Sequence, residues 1–159
     1  MERFQKILVA VDFSAHSDQA VRVAATFARC FDAPLTITHV YDPLVYAMPD
    51  GISLVSQPQL ERLFEALRGQ LGEVQRQALD AGAPRVETKL LQGHVATTLV
   101  DCAASGEFDL IVIGTQGRTG VQHLLLGSIA ERVVRLAPCP VLIAKKAQSL
   151  WNCLGCAGS

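Results

Sequence analysis

Asp109-Leu-Ile-Val-Ile-Gly114, followed at once by Thr115-Gln-Gly-Arg-Thr-Gly120-Val-Gln-His-Leu-Leu-Leu-Gly127-Ser128, is where the fold can be read. An unbroken run of leucine, isoleucine and valine with no polar alternation is the pattern of a strand covered on both faces, as in a parallel sheet between two helical layers. Glycines then punctuate a loop, and a helix is expected from Ser128 to Leu136, with a last strand over Pro140 to Ala144. Working back toward the amino terminus, Val95, Leu99, Cys102 and Ala103 mark a helix, and Val86 to Leu91 supplies the strand before it. Leu60, Leu63, Leu67, Leu71, Val74 and Ala78 place an apolar stripe on a long helix that ends near Gly82 and Pro84. Tyr41 to Pro58, with Pro43, Pro49, Gly51 and Pro58, has no sustained period and reads as a long loop placed where it could lie over a site. Leu35 to Val40, restarted by Pro34, is rich in β-branched residues and extended. Ala20, Ala24, Phe27, Ala28 and Phe31 recur at helical spacing from about Ser17, with Ser14 and Ser17 as alternative caps, and Lys6 to Val11 opens the chain as another buried strand.

Strand and helix thus alternate five times over, and right-handed crossovers are the common way to join such units. The expectation is a Rossmann-like α/β domain over residues 1–146, a doubly wound five-stranded parallel sheet in the order 3-2-1-4-5 with helices on both faces. In such sheets ligands sit beyond the carboxyl ends of the strands where the winding reverses, here between the first and fourth strands. The residues just past those ends are Asp12 and Gly114.

Composition narrows the partners. The 159 residues are 50% apolar, enough for one sizeable core. Fourteen basic against 15 acidic residues leave a net charge of -1, with no electrostatic footprint for nucleic acid or an anionic membrane. No stretch approaches the roughly 20 apolar residues of a spanning helix, and no secretory leader is visible, so a cytoplasmic protein is expected. Cysteines number five, and Cys30, Cys102 and Cys139 sit among apolar segments as expected of core filling.

Successive glycines allow positive φ and close ligand approach, and the helix opening at Ser128 adds free amides and a favourable dipole. Together they suit a polyphosphate. From spacing alone the glycines read equally as turn residues and Ser128 as a helix cap. The spacing G-x2-G-x9-G-S, as Gly114, Gly117, Gly127 and Ser128, resembles the nucleotide signature of the ATP-binding universal stress proteins. Phe108 to Gly114, Ala137-Pro-Cys-Pro-Val-Leu-Ile143 and Lys6 to Ser14 resemble other segments of that family, so that the likeness runs in order over residues 4 to 145.

The resemblance implies roles residue by residue. Asp12 matches the aspartate beside the ribose, with capping of the following turn as its plain alternative. Val40 matches the position whose backbone meets the adenine edge, and its side chain is equally an ordinary core residue. Gly114, Gly117, Gly127 and Ser128 match the positions around the phosphates, Arg118 is placed to add charge, and Thr115 and Ile129 flank the pocket. Val95 departs from the pattern, standing two positions after Gly93 where proline or alanine is usual. The implied function is an ATP-binding stress-response regulator, with magnesium as a possible companion of the nucleotide, whose occupancy modulates interactions. A homodimer through the fifth strand is implied too, in keeping with an apolar Val141 to Ile143 at a sheet edge that needs cover. The alternatives are a weak ATP hydrolase or autophosphorylating protein in the same pocket, or a thiol or metal function through Cys153 and Cys156.

Other chemistries find little support. Lys6, Lys89, Lys145 and Lys146 all lie outside the glycine loop, which excludes a Walker A motif. His16, His39, His94 and His123 lack metal-ligand spacing, His39 reading as a core or strand-end residue, and no nucleophile elbow is present. No catalytic residue is assigned, and any hydrolysis is expected to be slow. Cys153-Leu-Gly-Cys156 has the spacing of a redox dithiol or half a zinc site, but it lies in residues 147–159, a tail expected to be flexible.

Overall fold

The computed structural model describes residues 3–43, 56–115 and 126–145. Elements alternate as β1 (Ile7–Ala10), α1 (Ala15–Phe31), β2 (Leu35–Tyr41), α2 (Gln57–Asp80), β3 (Val86–Gln92), α3 (Val95–Ser105), β4 (Leu110–Gly114), α4 (Ser128–Leu136) and β5 (Val141–Ala144). All strand pairs are parallel, in the order β3-β2-β1-β4-β5, with Val9 level with Ile37 on one side and Val112 on the other. Every residue of β1, β2 and β4 is buried, whereas β3 and β5 at the edges are half-covered. Central burial on both faces is why these strands read as continuous apolar runs rather than alternating ones.

The path of the chain places the helices. From β1 to β3 the strands step toward one edge, and from β3 to β5 they step back, so right-handed crossovers put α1 and α2 on one face and α3 and α4 on the other. Two cores result. Ile7, Val9 and Val11 pack with Ala20, Ala24 and Ala28 of α1 and Leu71, Val74 and Ala78 of α2. Leu8, Ala10, Ile111 and Ile113 pack with Ala96, Leu99 and Ala103 of α3 and Ala130 and Val133 of α4. Ala20, Ala24, Ala25 and Ala28 of α1 are fully buried and let that helix lie close on the sheet. At the opposite end from the crevice, the Asp109 carboxylate accepts the Lys6 amide at 3.0 Å, and Lys6 Nζ donates to the Gly106 carbonyl at 2.7 Å, tying the start of β1 to that of β4.

Two local expectations need correction, and one left open is decided. Helix α2 begins at Gln57, so Pro58 belongs to its first turn rather than to the loop. Proline has no amide hydrogen to lose there, and Ser56 and Gln59 form a reciprocal capping box. Cys30, expected as core filling, is exposed, because it falls off the buried alanine stripe of α1. The cap of α1 is Ser14, whose Oγ accepts the Ser17 amide at 3.3 Å. Residues 44–55 of the long loop, and the tail with Cys153 and Cys156, lie outside the described residues.

Candidate functional site

Because β1 and β4 are neighbours whose following helices leave on opposite faces, a crevice opens beyond their carboxyl ends. On the β1 side, Asp12 Oδ1 accepts from the Ser14 amide at 3.1 Å and from the Ser14 hydroxyl at 2.6 Å. The carboxylate therefore does organise the turn into α1. A carboxylate has acceptor sites on both oxygens, and Oδ2 receives no hydrogen bond from the described residues. Between these residues Phe13 has φ 63, a left-handed conformation costly for a bulky side chain. Its ring lies 4.5 Å from that of His39. His39 Nδ1 is 2.8 Å from the Val11 carbonyl, which can only accept, so the hydrogen of this buried histidine is on Nδ1.

On the β4 side, Thr115 is buried and its carbonyl accepts the Gly127 amide at 2.7 Å. The glycine loop thus leaves and returns at one point, delivering α4 to the mouth of the crevice. Ser128 was an alternative cap, but the cap is Gly127 and Ser128 is the first helical residue. Gly127 makes no side-chain cap, so the first amides of α4 keep no partner within the helix. The expectation of positive φ is not met at Gly127, where φ is -69 and ψ 153, open to any residue. Gly117 and Arg118 lie outside the described residues.

Gly114 is needed for a different reason. A Cβ there would stand 2.9 Å from the His16 carbonyl oxygen and 3.1 Å from its carbon, so the side chain is missing where the backbone of α1 touches β4. Val40 is buried near the end of β2, and the Gly93 amide donates to the Tyr41 carbonyl at 2.9 Å, closing the edge of the crevice on β3. Gly93 has φ 144, and a Cβ would come within 2.6 Å of Thr98 Oγ1. Val95 opens α3 without distorting it. Ile129 is 38% exposed beside Ser128. Asp12, Val40, Gly114, Thr115, Gly127, Ser128 and Ile129 are therefore all at or beside the carboxyl edge of the sheet. Among the described residues no group of three or more histidine, cysteine, aspartate or glutamate side chains could hold a metal ion.

Residues 3–145 match the Universal stress protein family. The chain belongs to that family. It is 38% identical over 146 residues to a universal stress protein of Methanocaldococcus jannaschii, covering 90% of this chain and 83% of that one. A universal stress protein solved in complex with cAMP superposes with a TM-score of 0.70 at 27% identity, covering 92% of this chain and 100% of that one. A second, from Archaeoglobus fulgidus in complex with dAMP, gives 0.63 at 26% identity, covering 89% and 98%. The sheet order and alternating helices described above are those of a universal stress protein.

Sequence reasoning passed over one residue at this site. His16 lies four positions before Ala20, on the side of α1 that carries the alanine stripe, and that spacing was the signal that could have found it.

Proposed function

We propose that this universal stress protein binds ATP in the crevice between β1 and β4, and that occupancy modulates its contacts with other proteins. The observation that carries the reading is the bond from the Gly127 amide to the Thr115 carbonyl, which brings both ends of the glycine loop and the amino end of α4 to one point. Anions are favoured at such an end by free amides and the helix dipole. The relatives solved with cAMP and dAMP support an adenine nucleotide.

In this reading the second oxygen of Asp12 takes a ribose hydroxyl, and the Val40 backbone meets the adenine edge. Gly114, Gly117, Gly127 and Ser128 surround the phosphates, where Arg118 adds charge and any magnesium would sit, while Thr115 and Ile129 flank the pocket. Nothing in this set supplies an activated nucleophile or base, so the role is regulatory binding. A second copy pairing along β5 is the proposed partner, because Val141, Leu142 and Ile143 are only half-buried on that edge while Glu87, Thr88 and Gln92 leave the β3 edge polar. The protein works in the cytosol in this reading, and no helix among the described residues is long and apolar enough to cross a membrane.

Calorimetric titration with ATP tests it on Gly127→Val and Ser128→Ala. Valine adopts the backbone of Gly127, at the cost of a poorer cap worth about 1 kcal/mol, so the variant folds. Its γ-methyls crowd the cradle and ATP affinity falls sharply. Ser128→Ala removes one hydroxyl hydrogen bond and weakens affinity about two- to tenfold. If a folded Gly127→Val variant binds ATP as tightly as its parent, the loop is not the phosphate site and the reading fails.

A further inference from the structure

We propose that His39 is a positioning residue for the nucleotide: from β2 it fixes the turn after β1 that presents Asp12 to the ribose. This inference rests on the nucleotide reading above, and it requires no contact between His39 and the ligand.

The paired register of β1 and β2 ends at Ala10 and Thr38. Val11, Asp12 and Phe13 lead from there to Ser14, the cap of α1. Phe13 makes the change of direction with φ 63, a conformation that a bulky residue keeps only where its surroundings impose it. On one side the Ser14 amide and hydroxyl close on Asp12 Oδ1. On the other, β2 holds the chain. The Val11 amide donates to the Thr38 carbonyl at 2.9 Å, and His39 Nδ1 donates to the Val11 carbonyl at 2.8 Å. The His39 ring also lies against Phe13, with centroids 4.5 Å apart and planes tilted by 38°. Val11 and Phe13 flank Asp12, so one buried side chain of β2 grips the residues on both sides of the carboxylate.

The plain alternative is a histidine that only fills the core, since every residue of β2 is buried. Filling space needs no polar atom, however, and an apolar side chain there would take this donor from a carbonyl that lies past the end of the paired register. The consequence reaches the ligand through Asp12. Its Oδ1 is committed to Ser14, so the direction of Oδ2 follows the backbone at Val11 and Phe13. Hydrogen bonds weaken steeply with misalignment, and a small shift of this turn is therefore felt at the ribose hydroxyl.

His39→Phe keeps a ring against Phe13 and removes the donor, whereas His39→Asn keeps an amide nitrogen near the place of Nδ1. Titration of the full chain with ATP and with dideoxy-ATP, which lacks both ribose hydroxyls, separates an effect that passes through Asp12 from a general loosening of the crevice. His39→Phe is expected to weaken ATP about fivefold or more and to change dideoxy-ATP less than about twofold. His39→Asn should keep most of the preference for ATP. In the unsubstituted protein, the His39 imidazole nitrogen resonances should shift further with ATP than with dideoxy-ATP, because coupling runs both ways, and this readout does not depend on either variant folding. Equal losses for the two nucleotides, no loss for ATP, or equal shifts of the His39 resonances would each overturn the inference. Failure of the unsubstituted protein to bind ATP, or to prefer it over dideoxy-ATP, would instead overturn the reading of the crevice itself and take the inference with it.

Discussion

Replacing Gly114 with alanine adds one methyl group where α1 crosses the end of β4. That Cβ would lie 2.9 Å from the His16 carbonyl oxygen, 3.1 Å from its carbon and 3.3 Å from its Cβ. The first two are backbone atoms of a capped helix, so no side chain can swing away and α1 must lift from the sheet. Overpacking of this kind costs about 1–3 kcal/mol, from which the lower unfolded-state entropy of alanine recovers roughly 0.4–1 kcal/mol. A net loss of about 1–2 kcal/mol lowers Tm by about 2–8 °C for a chain of this size. Backbone strain contributes nothing, since Gly114 is not among the residues with positive φ. Gly69→Ala is the matched control: the same methyl group enters the interior of α2 and meets nothing within 4 Å. There the change should stabilise by about 0.5–1 kcal/mol, raising Tm by about 1–4 °C. Thermal unfolding followed by circular dichroism, without nucleotide, reads both variants. A Gly114→Ala protein as stable as its parent would show that α1 is not pressed against β4 and that Gly114 serves the ligand alone.

Thr38→Val should leave stability unchanged or raise it by up to about 1 kcal/mol, because Thr38 is 0% exposed and its hydroxyl has no partner, so a methyl group of the same shape removes an unpaired polar atom. A clear loss in chemical denaturation would mean that the hydroxyl holds a buried water. For the thiols, burial first and the Asp109 charge second push the Cys139 pKa up, keeping it protonated at pH 8, whereas Cys30 is exposed on α1. Peptide mapping after brief alkylation of the folded protein should find Cys30 modified well before Cys139, and the reverse order would place Cys139 outside the packed layer under α4.

The alternation of buried runs with amphipathic stripes, and the direction in which crossovers must turn, determined the doubly wound sheet before any coordinates, because each signal depends only on neighbours along the chain. Asp12 and Gly114 could be placed at the switch point on the same ground. Composition and spacing also marked the glycine-punctuated segment that follows β4, most of which lies outside the described residues. The tertiary structure alone decided what individual residues do there. Gly127 is an extended cap and not a positive-φ glycine, because the Thr115 carbonyl fixes its amide. Gly114 is glycine because a helix from another part of the chain crosses it. Pro58 reads as a loop breaker in sequence, yet a capping box turned it into a first-turn residue. The orphaned nitrogen of His16 is likewise a property of what surrounds it. Contacts between segments distant in sequence carry no periodic signature, so only the folded chain can reveal them.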